Sequence, residues 1–127
     1  HIIANVSKSY PIDYPKAGWS EQNPYDWYDA CMEGMKELLD GQDESTVGGI
    51  SFGGQMHGLV ILDKNDEVIR PAILWNDGRT TKQCEYLNEV IGRDKLSEYT
   101  ANIAFAGFTA PNLWEINKVV LLPKVSS

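Results

Sequence analysis

At 127 residues the chain has room for one domain of ordinary size and one buried core, not for two large domains. A composition of 43% hydrophobic and 23% charged residues is that of a packed globule or a piece of one, which excludes a disordered tail and a collagen-like repeat. Its formal net charge of −7 repels a phosphate backbone and an anionic membrane face, so neither nucleic acid nor membrane is an expected partner.

The chain opens at His1, without a methionine, and goes directly into Ile2, Ile3 and Val6, which read as a buried strand over His1 to Tyr10. Pro11 to Asn23 reads as a loop, because Pro11, Pro15 and Gly18 interrupt any regular element. A helix is predicted from Pro24 to about Asp40. Asn23 caps it, Pro24 suits its first position and Asp26 favours the positive end of its dipole. Trp27, Ala30, Cys31, Met35 and Leu38 recur at spacings of three and four and mark its core-facing stripe, and Gly41 ends it.

Val47 to Phe52 and Gly58 to Asp63 read as strands separated by Gly53-Gly54-Gln55-Met56-His57. Asp63-Lys64-Asn65-Asp66 reads as a turn, after which Val68 to Trp75 completes a hairpin on the edge of a sheet. A second helix is expected from a cap at Asn76 or Asp77 through about Val90, with Gly92 just past its end, and a short one over Asp94 to Tyr99. Thr109 to Asn117 is expected to hold further helical turns, with Thr109 as cap, and Lys118 to Leu122 a closing strand cut off at Ser127. Both ends read as those of a fragment of a longer protein. Cys31 and Cys84, each in a predicted helix, are too few for a disulfide framework or a cysteine zinc site and suit a reducing cytoplasm. No apolar run approaches the roughly 20 residues that cross a bilayer.

Three segments hold residues suited to chemistry. Five glycines between Gly48 and Gly58 serve either tight turns or close approach of a ligand, but lack the lysine and hydroxyl of a phosphate-binding P-loop. His57, the only interior histidine, follows Met56 where this segment meets a strand. It is either a hydrogen-bonded structural residue or, with Met56, part of a pocket wall at strand ends. A metal role is weaker, since His1 is the only other histidine. Trp75-Asn76-Asp77-Gly78-Arg79 joins an aromatic face, an amide, a carboxylate and a guanidinium at a strand-to-helix turn. Such groups either bind a sugar or serve as core, cap and exposed helix face.

Taken together, Gly18-Trp19-Ser20-Glu21-Gln22-Asn23-Pro24, Gly54-Gln55-Met56-His57-Gly58, Arg70-Pro71-Ala72-Ile73-Leu74-Trp75-Asn76-Asp77-Gly78-Arg79 and Gly107-Phe108-Thr109-Ala110-Pro111 resemble, in order, blocks of the xylulokinases among the FGGY carbohydrate kinases. Glycerol kinases are similar elsewhere but carry an Arg-Glu pair where Met56 and His57 stand. The resemblance implies an α/β fold, part of a ribonuclease-H-like (actin-like ATPase) domain with a mixed sheet and flanking helices. Residues 1–127 would form a partial amino-terminal domain, the first strands and the carboxy-terminal domain lying outside them. It implies transfer of the γ-phosphoryl of ATP to the 5-hydroxyl of D-xylulose by the full-length protein. Met56, His57 and Trp75 would then be substrate-binding, and Asp77 and Arg79 structural.

The resemblance also implies that the catalytic residues, an Asp-x-Gly-Thr motif and a general-base aspartate, are not in this segment, and that ATP and Mg2+ are bound mainly by other parts. The expected partner is a small-molecule sugar, with a homodimer left open. Two readings stand beside this one: another sugar or polyol kinase of the family, and a non-catalytic sugar-binding module.

Overall fold

Helix formation begins where the local chemistry predicts it. Asn23 holds extended backbone angles and its side chain accepts a hydrogen bond from Tyr25 N at 3.2 Å, while Pro24 opens helix α1, Pro24–Leu39. Gly41, at φ +71°, turns the chain out of it. The computed structural model describes residues 1–117, so the predicted strand at Lys118 to Leu122 lies outside the described residues.

The sheet is narrower than the apolar runs suggest. Strand β1, Glu21–Gln22, pairs antiparallel with β2, Ala72–Ile73, in the register Glu21 with Ile73 and Gln22 with Ala72. Single bridges extend this pairing from Asp13 to Glu21 and from Leu59 to Ile73. The expected hairpin forms: Leu59 and Ile73 exchange backbone hydrogen bonds of 2.9 and 3.2 Å, Ile69 N donates to Ile61 O at 3.0 Å, and Asp63 N donates to Glu67 O at 2.8 Å. The Asp63 carboxylate closes the turn by accepting from Asn65 N and Glu67 N. Tyr25 of α1 is tied to the same hairpin, its hydroxyl donating to Glu67 at 2.6 Å and accepting from Val68 N at 3.2 Å.

Two predicted strands do not form. His1 to Tyr10 and Val47 to Phe52 are extended or irregular, with Ile3 94% and Phe52 79% exposed. A strand exists only as half of a ladder, and apolar residues in sequence do not provide the partner. The first segment runs along α1: Val6 packs beside Gly34, and Lys8 pairs with Glu37 at 2.6 Å. The helical stripe is accordingly only half-covered, Cys31 being exposed and Trp27, Ala30 and Met35 intermediate. Conversely, Glu21 and Gln22, which fall in the segment read as a loop from its prolines and glycine, form a buried strand.

Beyond the hairpin the chain is helical: α2, Thr81–Tyr86, then a π-helical stretch Leu87–Gly92, α3, Arg93–Thr100, and α4, Thr109–Asn117. Thr80 is the cap residue of α2, and Gly92, at φ +97°, separates the second helix from the third. The apolar core centres on Ile73, fully buried against Leu59 and Ile116 with Ile61 packed on their edge. Burial of a side chain of that size contributes roughly 2 to 3 kcal/mol. Around it lies a buried polar layer, Ser20, Glu21, Gln22, Asp77, Thr80, Gln83 and Asn112, which needs internal partners.

Candidate functional site

The strand-to-helix turn after β2 is built on Asp77. Its buried carboxylate accepts from Ser20 N at 2.6 Å, Arg79 N at 2.9 Å, Arg79 Nε at 2.8 Å and Arg79 Nη2 at 2.7 Å. Burial pushes this carboxyl's pKa up, but the hydrogen bonds from Arg79 and Ser20 and the Arg79 charge outweigh it and hold the pKa below the usual carboxylate value. Arg79 also pairs with Glu21 Oε1 at 2.7 Å and stacks over Trp19 at 3.7 Å, and Arg70 pairs with the same Glu21 oxygen. Asp77 and Arg79 thus join Trp19, Ser20 and β1 to the turn, a structural task. Arg79, read as a possible exposed helix residue, is buried, because two carboxylates and an indole enclose it.

A second network runs beside it. Gln22 Oε1 accepts from Trp27 Nε1 at 3.1 Å and Gln55 Nε2 at 3.2 Å, and its amide donates to Pro11 O at 3.1 Å. Through Gln55 the polar layer reaches the residues just before Met56 and His57.

His57 is exposed, and its backbone is left-handed at φ 68°. No glycine between Gly48 and Gly58 has a positive φ, so in the glycine-rich segment it is the histidine that adopts the conformation glycine tolerates best. Its ring stacks on Phe108 with centroids 3.8 Å apart and planes 11° from parallel. Its carbonyl accepts from Thr109 Oγ1 at 3.5 Å. Phe105 packs against Phe108 with ring centroids 5.1 Å apart. Here a cavity of about 270 Å³ opens, lined by His57, Phe105, Phe108, Leu87, Leu96 and Pro111 among others.

One wall of the cavity is held by Asn88, whose side chain substitutes for a neighbouring strand: Nδ2 donates to Ala104 O at 2.9 Å, and Oδ1 accepts from Ala104 N at 3.0 Å. At Gly107 the next turn presses on the hairpin. A Cβ there would collide with the Trp75 carbonyl oxygen and lie 2.6 Å from its carbon, and the residue has φ +80°. The dipeptide Gly107-Phe108 therefore bridges two predicted site residues, touching Trp75 through backbone and His57 through a ring.

Met56 and Trp75 are 73% and 53% exposed, and neither lines this cavity. The structure brings His57 to the cavity and links Trp75 to it through Gly107; the Met56 side chain lies open beside His57. In the preceding segment, an added Cβ on Gly48, Gly49, Gly53 or Gly54 would meet nothing within 4 Å. Sequence reasoning assigned no role to Gly107, Phe108 or Asn88. The available signal was the block Gly107-Phe108-Thr109-Ala110-Pro111, a glycine and an aromatic directly before a helix.

Among the described residues, no group of three or more His, Cys, Asp or Glu side chains is arranged to hold a metal ion. No helix among them is long and apolar enough to cross a membrane.

The family profile described as the FGGY family of carbohydrate kinases, N-terminal domain, matches residues 1–118. The xylulose kinase of Bacillus subtilis is 46% identical over 135 residues, covering 97% of this chain and 27% of that protein. Among solved structures, a xylulose kinase from Brucella ovis matches with a TM-score of 0.77 at 38% identity, over 85% of this chain and 22% of its own. A gluconate kinase from Lactobacillus acidophilus matches with a TM-score of 0.69 at 28% identity, over 76% of this chain and 19% of its own. The chain thus spans about a quarter of the length of the curated relatives it matches. The expected fold class holds: α/β, part of a ribonuclease-H-like domain of the actin type, here a small sheet with flanking helices.

Proposed function

Because the chain belongs to the FGGY family of carbohydrate kinases, we propose that the full-length protein phosphorylates D-xylulose at its 5-hydroxyl with ATP, and that these residues supply part of the sugar-binding wall. In this reading they are part of the amino-terminal domain. The nucleotide, Mg2+ and the proton-accepting carboxylate are held elsewhere, and the free thiols of Cys31 and Cys84 suit a cytoplasmic enzyme.

Phosphoryl transfer depends mostly on positioning and charge neutralisation, and this chain contributes positioning. The observation that carries the reading is the placement of His57: an exposed imidazole, fixed by a stacked ring at a cavity mouth, within the Gln55-Met56-His57-Gly58 run. An imidazole nitrogen can donate to or accept from a sugar hydroxyl and orient it, while Met56 and Trp75 offer apolar surface to the C–H face. In the full-length protein, His57→Ala is expected to raise KM for D-xylulose or lower kcat. Wild-type kinetics would refute the role.

The similarity to a gluconate kinase favours a second reading, a kinase of the same family acting on a different polyhydroxylated substrate. A panel containing D-xylulose, D-gluconate and glycerol, compared by kcat/KM, separates the two. A preference for any substrate other than D-xylulose overturns the first.

A further inference from the structure

We propose that Phe108 is a positioning residue for His57, holding the imidazole plane and the strained backbone beneath it in the orientation that receives substrate. The proposal rests on the reading above that His57 meets the sugar.

Three observations converge. A left-handed backbone at a β-carbon residue costs about 1 to 2 kcal/mol and persists only where surroundings impose it. His57, at φ 68°, is such a residue and is exposed, so burial does not impose it. Adjacent residues grip it at two points, Phe108 through the ring at 3.8 Å and Thr109 through the carbonyl at 3.5 Å. An exposed imidazole with single-bond freedom at χ1 samples several rotamers, whereas one stacked nearly parallel on a phenyl ring keeps one plane.

The phenyl ring is itself fixed. Gly107 seats on the backbone of Trp75, Phe105 packs against Phe108 at 5.1 Å, and Phe108 N donates to Phe105 O at 3.2 Å. The ring orientation of His57 is therefore referred to the hairpin, whose register Ile73 anchors, rather than to the open glycine-rich segment that precedes it.

The test is a kinetic cycle in the full-length protein with His57→Ala, Phe108→Leu, the pair combined, and Phe108→Tyr. Leucine retains apolar bulk without a flat face; tyrosine restores the face. Phe108→Leu is expected to raise KM for D-xylulose by between about tenfold and a hundredfold with KM for ATP unchanged. Phe108→Tyr is expected to recover wild-type values, and Phe108→Leu to add nothing in the His57→Ala background.

If His57→Ala is damaging but Phe108→Leu is silent, or if the two losses multiply, the positioning role is overturned while the site reading stands. If His57→Ala is silent, both fall. Should Phe108→Leu not fold, the wild-type imidazole proton resonances decide: upfield displacement by the phenyl ring current supports the stack, and random-coil positions overturn it.

Discussion

Gly107 and Trp75 meet through backbone, so close that a single carbon added to the glycine would collide with the tryptophan carbonyl. This contact carries the start of α4 onto the end of the hairpin and sets Phe108 against His57.

Gly107→Ala should therefore be costly twice, once for the collision and once for the left-handed backbone at φ +80°. Overpacking and backbone strain together predict a loss of about 2 to 5 kcal/mol in unfolding free energy. Urea denaturation followed by tryptophan fluorescence measures it, and a change within about 0.5 kcal/mol of wild type would contradict the contact.

Asp77 makes stability depend on acid. Its folded pKa is lowered, the Arg79 and Ser20 hydrogen bonds overcoming the opposing effect of burial. A carboxyl of this kind adds stability that is fully present above its unfolded value of about 3.9 and is lost as pH falls through the lower folded value. Below about pH 4 the wild-type urea midpoint should decline, and Asp77→Asn should lose that component of the slope. At neutral pH Asp77→Ala, which leaves the buried Arg79 paired only with Glu21, is expected to cost about 3 to 5 kcal/mol. Parallel acid profiles for wild type and Asp77→Asn would show that the carboxylate is not linked to folding.

The two thiols should react in a fixed order. Cys31 is exposed on α1, while Cys84 is 7% exposed on α2. Burial raises the pKa of the Cys84 thiol, a Thr80 hydrogen bond opposes the shift and the Glu85 charge adds to it, leaving the thiol more protonated than a free cysteine. Alkylation with iodoacetamide followed by peptide mass analysis should label Cys31 at least about tenfold faster in the native protein. The difference should vanish in urea; equal native rates would place Cys84 at the surface.

Some of this was legible locally. Asn23, Pro24 and Gly41 bound α1 because capping, the preset proline angle and glycine's left-handed freedom act within a few residues. The Asp63 turn and Gly92 follow the same logic. Glu21 and Gln22 were misread because Pro11, Pro15 and Gly18 mark the segment before them as a loop, and nothing local names a partner strand. What buries them is Arg79 and Arg70, 58 and 49 positions further along, together with Gln55 and Trp27. His1 to Tyr10 failed in the opposite sense, having the apolar pattern of a strand without a ladder partner among the described residues.

Amino-acid order was enough to mark His57 as a chemical group, to place it between a glycine-rich stretch and a hairpin, and to place Thr109 at the start of a helix. Folding alone decided that the histidine would be left-handed, that Phe108, 51 residues downstream, would stack on its ring, and that Met56 would stay outside the cavity. The reason is the range of the forces: caps and turns close over three or four residues, whereas a stack or a buried ion pair needs two distant segments brought to van der Waals separation. Among the described residues, the core around Ile73 and the Gly107–Trp75 contact help bring such segments together.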